Sequence, residues 1–492
     1  MDVEKDYYAV LSVSPFASQK QIKHAYYRLA RRYHPDSREV DTPTSLFHEI
    51  QEAYAVLSDP SSRRDYDRQC DAHRRARRGP LAWSILLSRK TLDTAHEEQV
   101  LYALLEIAPS VPPEDNRLPL DLALVIDCST SMKGHRLKNV KEAARQIIDE
   151  LHDEDTLAII SFNDRAEVVL SDRVGGTRAH AKAGITALRA EGGTEILQGL
   201  RIGLREVTAH LRPGVLGHVV LLTDGRTYGD DEGCIAAAER AGGRDIAITA
   251  LGIGDDWNDD LLDQMASRSG GTSAYIASPG QVRSLLQKTV RGLGSVYATG
   301  LSLTVRGAEG VSVENAFRIS PALERVYSPD GAMRLGTLAV DTPVKVLLAV
   351  AVDRRPPGEH PLLELELTGD IPSLDRHEET LKHIVRCAFV DDAPNGGGDD
   401  VPPALLSALG KITLYRMQER AWSALAEGRV EQATRQLEMM ATRLLDIGEV
   451  QLARSAMLEA KHIAEKEGST DQGRKEIKYG TRSLDIGSEA YD

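Results

Sequence analysis

Four apolar runs, LDLALVI at 120–126, TLAIISF at 156–162, HVVLLT at 218–223 and IAITALGI at 246–253, are separated by stretches with helical periodicity. Strands this poor in polar residues are covered on both faces, and strands joined by helices run parallel. Residues 118–293 are therefore expected to form a doubly wound α/β sheet. In such a sheet ligands bind beyond the carboxyl ends of the strands, so the chemistry of this region belongs to the loops that follow those runs.

The flanks have a different character. Residues 298–391 carry spaced strands such as GLSLTVRG, PVKVLLAVAVD and HIVRCAFVD with turn residues between them, the pattern of a β-sandwich. Two further strands, WSILLS and QVLYALLEI, precede the α/β region. A two-stranded unit is marginal in water, so residues 81–117 are expected to join residues 294–392 in one sandwich, with the α/β unit inserted between them. Residues 393–403 form a linker. Helical segments at Ala404–Ala426, Val430–Leu445 and Val450–Lys466, broken at Gly428 and Gly448, predict a three-helix bundle over 404–467. Residues 468–492 are polar and contain glycine, and are expected to be a flexible tail.

At the other end, residues 1–70 read as helices and 71–80 as a basic linker. Within 1–80 there are 14 Lys and Arg against 12 Asp and Glu, while the whole 492-residue chain carries −14. The acidity lies in the body, and a general nucleic-acid binder is excluded because phosphate contacts need clustered cations. Cys70, Cys128, Cys234 and Cys387 are far apart, which excludes a zinc ribbon and points to a reducing cytoplasm rather than a disulfide framework. No run reaches the ~18 apolar residues of a membrane helix and the N-terminus has no signal-peptide core, so neither export nor a membrane partner is expected.

Ser18 and Gln21 form a capping box that opens a helix. On its wheel Ile22, Ala25, Tyr26, Leu29 and Tyr33 share the core face, while Lys20, Lys23, His24 and Arg31 gather around Tyr27, flanked by Arg28 and Arg32. His34, Pro35 and Asp36 follow directly. The segments DYYAVLSVSPFAS, IKHAYYRLARRYHPD and FHEIQEAYAVLSDPSSRRDYD resemble the J-domain of DnaJ-type co-chaperones over about seventy residues. The resemblance implies that His34, Pro35 and Asp36 engage a DnaK-type heat-shock chaperone and speed its ATP hydrolysis, with Lys23, Arg28, Arg31 and Arg32 on the docking face. Ser37 stands where the family usually has Lys, and Ser12 where it usually has Gly. No Gly/Phe-rich segment or cysteine-repeat zinc region follows, so targeting falls to the remaining domains.

At the end of the first parallel strand stands Asp127-Cys128-Ser129-Thr130-Ser131. Gly192-Gly193-Thr194 precedes a helix, and Thr223-Asp224-Gly225 ends a later strand. Three strand-end loops thus present carboxylate and hydroxyl oxygens without thiolate or imidazole, which suits Mg²⁺ or another hard divalent cation. The competing use of these residues is to cap the helix that begins near Gly134 and to form a turn at Asp224-Gly225. This region resembles the von Willebrand factor A domain, and Asp127, Ser129, Ser131, Thr194 and Asp224 match its metal-ion-dependent adhesion site. The resemblance implies metal binding by these residues and an open position that takes an acidic side chain of a protein partner. Bacterial proteins with this domain inserted in a sandwich and followed by helices look similar to residues 81–466, and some carry a segment like KYGTR at 478–482.

No phosphate loop, GxSxG elbow, HExxH helix or dinucleotide fingerprint occurs, so no enzymatic activity is expected. The expected function is a bacterial cytoplasmic co-chaperone that brings a DnaK-type ATPase to protein partners gripped through Mg²⁺. The alternative is a metal-dependent adhesion or scaffold protein of a regulatory or conflict-related assembly, with the J-domain serving as an interaction surface.

Overall fold

The computed structural model describes residues 7–11, 13, 19–32, 44–63, 66, 80–95, 97–110, 117–212, 214–227, 229–278, 281–326, 332–391, 401–466 and 468–484. The chain begins with α1 (Tyr7–Val10), α2 (Gln19–Arg32) and α3 (Thr44–Leu57). Tyr7, Leu11, Ile22, Ala25, Ile50, Ala53 and Leu57 bury one another between them. Tyr26 of α2 stacks on Tyr54 of α3 with ring centroids 3.9 Å apart, so the expected apolar face of α2 is the packed one.

Strands β1 (Leu81–Leu87), β2 (Thr91–Asp93) and β3 (Glu98–Pro109) come next. The inserted unit then runs β4 (Leu120–Asp127), α4 (His135–Glu150), β5 (Thr156–Phe162), β6 (Ala166–Arg173), α5 (Arg178–Ala187), α6 (Ile196–His210), β7 (Leu216–Thr223), α7 (Asp231–Gly242), β8 (Ala247–Ile253), α8 (Asp259–Ser269), β9 (Thr272–Ile276) and α9 (Gln281–Gly294). Its sheet order is β6-β5-β4-β7-β8-β9, parallel except for the β6 edge. Leu120, Leu122, Leu124 and Ile126 of β4 face a core shared with α4, α5 and α9, while Ala123 and Val125 face one shared with α6, α7 and α8. Burial of alternate residues on opposite faces is why the run reads as continuously apolar. Strand β6 escaped the sequence reading because AEVVLSDR lies at an edge and is half exposed to solvent.

The chain returns to the sandwich through β10 (Val296–Gly307), β11 (Val311–Ser320), β12 (Glu324–Arg325), β13 (Ala332–Ala339), β14 (Val344–Asp353), β15 (Gly358–Ile371) and β16 (Arg376–Val390). The two sheets are ordered β1-β3-β14-β11-β12 and β13-β10-β15-β16-β2. β3 lies antiparallel to both β1 and β14, so the strands before the insertion complete a sheet built after it, as expected.

Four helices follow, α10 (Pro403–Ala426), α11 (Val430–Asp446), α12 (Val450–Lys466) and α13 (Asp471–Ser483). Leu405, Ala408 and Ile412 of α10 pack on Leu104, Phe317, Ile319 and Leu347 of the sandwich. Gly428 and Gly448 adopt positive φ at the helix breaks, where a Cβ would be strained. Two expectations are corrected here. The bundle has four helices, and residues 471–483 form the fourth rather than part of a flexible tail. Thr470 caps this helix by accepting from the Gly473 N–H at 2.9 Å. Its polar side chains have partners on the α/β unit.

Candidate metal centre

Strands β4 and β7 are neighbours, so their carboxyl ends bring Asp127 and Asp224 to one rim of the sheet. Both carboxylates are fully buried. Asp127 accepts from the Ser129 N–H at 2.8 Å through Oδ1 and from the Thr223 hydroxyl at 2.6 Å through Oδ2. The Ser129 and Ser131 hydroxyls lie 2.9 Å apart, and Ser131 donates to Asp224 Oδ1 at 2.6 Å. Helix α4 is instead entered through Gly134 without a side-chain cap, so Asp127 and Ser129 are not spent on capping it.

Thr194 arrives from the loop between α5 and α6. Thr130 donates to Gly192 O from its N–H at 3.0 Å and from its hydroxyl at 2.9 Å, and Glu191 N–H donates to Cys128 O at 2.8 Å. Asp164 holds the far side of the glycine turn by accepting from the Gly193 N–H at 2.9 Å. A Cβ on Gly225 would lie 2.8 Å from Thr194 Oγ1, so the glycine after Asp224 lets the two loops meet. All five residues named from the sequence therefore sit at this rim. Sequence reasoning quoted Thr223 beside Asp224 without giving it a role, and missed Asp164 and Arg136; the last places Nη1 2.6 Å from Asp224 Oδ2.

The donor set fits a hard cation: two carboxylates and three hydroxyls. Burial pushes the Asp127 carboxyl up to about 6, against the hydrogen bonds from Thr223 and Ser129 that stabilise its anion. Burial also pushes the Cys128 thiol up to about 12, which keeps it from offering a soft thiolate. Among the described residues no group of three or more His, Cys, Asp or Glu is placed to hold a metal ion, so the hydroxyls are an essential part of this donor set.

A second acidic cluster lies on α8 and is already satisfied. Helix α13 places Arg474 2.5 Å and Lys478 2.6 Å from the Asp259 carboxylate, and Lys478 2.7 Å and Arg482 2.8 Å from that of Asp263. Tyr479 donates to Asp263 at 2.7 Å and buries its ring in the α6–α8 core. The fully buried Lys475 ammonium donates to the carbonyls of Asp255 and Trp257 and lies 4.4 Å from the Trp257 ring centroid. A Cβ on Gly480 would lie 2.5 Å from Leu452, and buried Thr481 donates back to Ile477 O at 2.7 Å. The KYGTR segment is thus a clasp: Lys478, Tyr479 and Arg482 face the α/β unit, and Gly480 admits helix α12.

Three family models match the chain: a DnaJ domain over residues 6–67, a von Willebrand factor type A domain over 121–288, and an Sll0103-like C-terminal alpha-helical domain over 403–486. Uncharacterized protein sll0103 of Synechocystis is 33% identical over 299 residues, which cover 59% of this chain and 71% of the relative. The chain belongs to the Sll0103-like family. The Sll0103-like C-terminal model spans the clasp helix as well as α10–α12. Chaperone protein DnaJ 2 of Thermus thermophilus is 57% identical over 67 residues, 14% of this chain and 24% of that protein. The likeness to it is thus confined to the J-domain. A von Willebrand factor type A structure from Catenulispora acidiphila shares the fold with a TM-score of 0.67 at 18% identity, covering 83% of this chain and 97% of that one.

In the J-domain of this Sll0103-like protein Lys20 and Lys23 are exposed on α2, and the Lys23 ammonium lies 6.0 Å from the ring centroid of exposed Tyr27. His34, Pro35 and Asp36 lie outside the described residues, as do the side chains of Arg28, Arg31 and Arg32.

Proposed function

We propose that the chain stimulates ATP hydrolysis by a cytoplasmic DnaK-type chaperone and delivers that chaperone to protein partners held by its von Willebrand A domain. The observation that carries this reading is the union, in one chain, of a DnaJ domain and an all-oxygen cluster at a sheet rim whose two carboxylates are buried. His34, Pro35 and Asp36 engage the ATPase, and Lys23, Arg28, Arg31 and Arg32 steer an acidic partner surface onto α2. Asp127, Ser129, Ser131, Thr194 and Asp224 hold Mg²⁺, which supplies a Lewis-acidic position for an acidic side chain of the partner. Thr223 fixes the Asp127 carboxylate, and the Gly192-Gly193 turn delivers Thr194. Keeping the two activities on separate domains allows each to be removed alone.

Steady-state ATPase assays of a DnaK-type chaperone test the first half: the unmodified chain raises turnover and His34→Gln does not, while keeping its circular dichroism spectrum. Equal stimulation by both proteins would sink the co-chaperone role. Calorimetry with Mg²⁺ tests the second: Asp127→Ala binds none, and full binding by that variant refutes the site.

A further inference from the structure

Arg136 projects from the first turn of α4 across the mouth of the metal centre. Its Nη1 lies 2.6 Å from Asp224 Oδ2 and 3.5 Å from the Ser131 carbonyl oxygen. Its Nη2 abuts the loop after β8, where a Cβ on Gly254 would come within 2.9 Å of it, and Gly254 itself has φ +72°. Three loops therefore fix the guanidinium in place. Asp224 is fully buried and one third of the Arg136 side chain is exposed, so the pair has a dry end at the carboxylate and a wet end at the rim. Among the described residues Nε and Nη2 have no hydrogen-bond partner, and they remain as donors at the mouth.

We propose that Arg136 is the specificity-determining residue of this centre, a resident counter-cation that competes with the metal for Asp224 and commits the filled site to an anionic ligand. The inference rests on the metal reading above and adds the charge balance. Asp127 and Asp224 contribute two negative charges and Arg136 returns one. A divalent ion added to that set leaves these three side chains and the ion with a net positive charge, which a single carboxylate neutralises. Arg136 thus adds to the positive field that the acidic side chain of the proposed partner meets. Without Arg136 the two carboxylates would balance a divalent ion on their own, and the centre would hold metal more tightly while losing its preference for an anion.

The test is titration calorimetry of the full chain with Mg²⁺, with acetate as the smallest carboxylate probe. Arg136→Gln is expected to tighten Mg²⁺ binding by about tenfold or more, since removing a unit charge within a few ångströms of the ion is worth at least ~1.4 kcal/mol at this partly exposed rim. Arg136→Lys is expected to keep the weaker affinity of the unmodified protein. Acetate is expected to tighten Mg²⁺ binding of the unmodified chain and to do less for Arg136→Gln. A merely structural arginine gives the opposite sign, because loosening Asp224 weakens metal binding. Unchanged or weaker binding by Arg136→Gln overturns the proposal while leaving the metal centre standing. An acetate effect that is absent, or equal in both proteins, overturns its ligand half. Absence of Mg²⁺ binding by the unmodified chain overturns both readings.

Discussion

Two pairs of largely buried aspartates in the α/β unit are set in opposite surroundings. Asp259 and Asp263 on α8 meet Lys478, Arg474 and Arg482 of α13 within 2.5–2.8 Å. Burial alone would push both carboxyls up, but the cations outweigh it and hold them below the ordinary range, Lys478 leading at Asp259 and Arg482 at Asp263. Asp127 and Asp224 have hydroxyls, one backbone N–H and a single arginine around them, and at Asp127 burial prevails. A buried carboxylate with a full set of cations is a fastener. One with mostly neutral donors and a single cation has less of its charge offset within the protein. The contrast separates the clasp from the candidate metal centre.

The largest expected effect of breaking this contrast is at the clasp. Asp263→Ala leaves Lys478 and Arg482 at a largely buried contact with part of their counter-charge missing, and such a loss costs about 3–5 kcal/mol. Scanning calorimetry of the full chain should show the α/β transition moving down, and an unmoved transition would mean that α13 is not fastened there in solution. Acid should do the same. The stabilisation from Asp259 and Asp263 is present above the ordinary carboxyl range near pH 4 and is lost as pH falls through their lowered folded values.

Asp121, at the start of β4, sharpens the contrast from the other side. Both its oxygens are buried without a hydrogen-bond partner among the described residues, and His210 Nδ1 stands 3.8 Å away. Burial pushes its carboxyl up to about 7, against the pull of His210 and Arg212. Its folded value is raised, so its contribution to stability is present below about pH 4 and is lost as pH rises through 7. Asp121→Asn should raise the stability of the chain at pH 8 by about 2–3 kcal/mol and flatten its pH dependence between about 4 and 7. An unchanged melting curve at pH 8 would contradict the unpaired carboxylate.

The smallest stability effect belongs to the binding centre. Asp127→Asn keeps an acceptor for Ser129 or Thr223 while removing a buried charge, so metal-free stability should change by no more than about 1–2 kcal/mol. Denaturant unfolding in chelator checks this, and a loss as large as that of Asp263→Ala would make Asp127 another fastener.

The sequence made legible whatever depends on local pattern. Continuous apolar runs marked the sheet interior, and the oxygen-bearing residues at the ends of β4 and β7 stood out because parallel topology gathers those ends, whereas Thr194 comes from the α5–α6 loop rather than from the third strand end expected. The clasp was illegible because its stabilising partners are polar and lie more than 200 residues away, as Lys478 and Asp259 do. Read locally, Lys475, Lys478 and Arg482 describe a solvated stretch. Arg136 was missed for the same reason, since its partner Asp224 is 88 residues distant and nothing in the first turn of α4 announces an ion pair. Burial of charge is a property of the assembled fold.

The most direct test of this division of labour is a Mg²⁺ titration by calorimetry on the unmodified chain, Asp127→Asn and the clasp variant Lys475→Met. The account predicts one Mg²⁺ per chain in the unmodified protein and in Lys475→Met, and none in Asp127→Asn. Full Mg²⁺ binding by Asp127→Asn would contradict it.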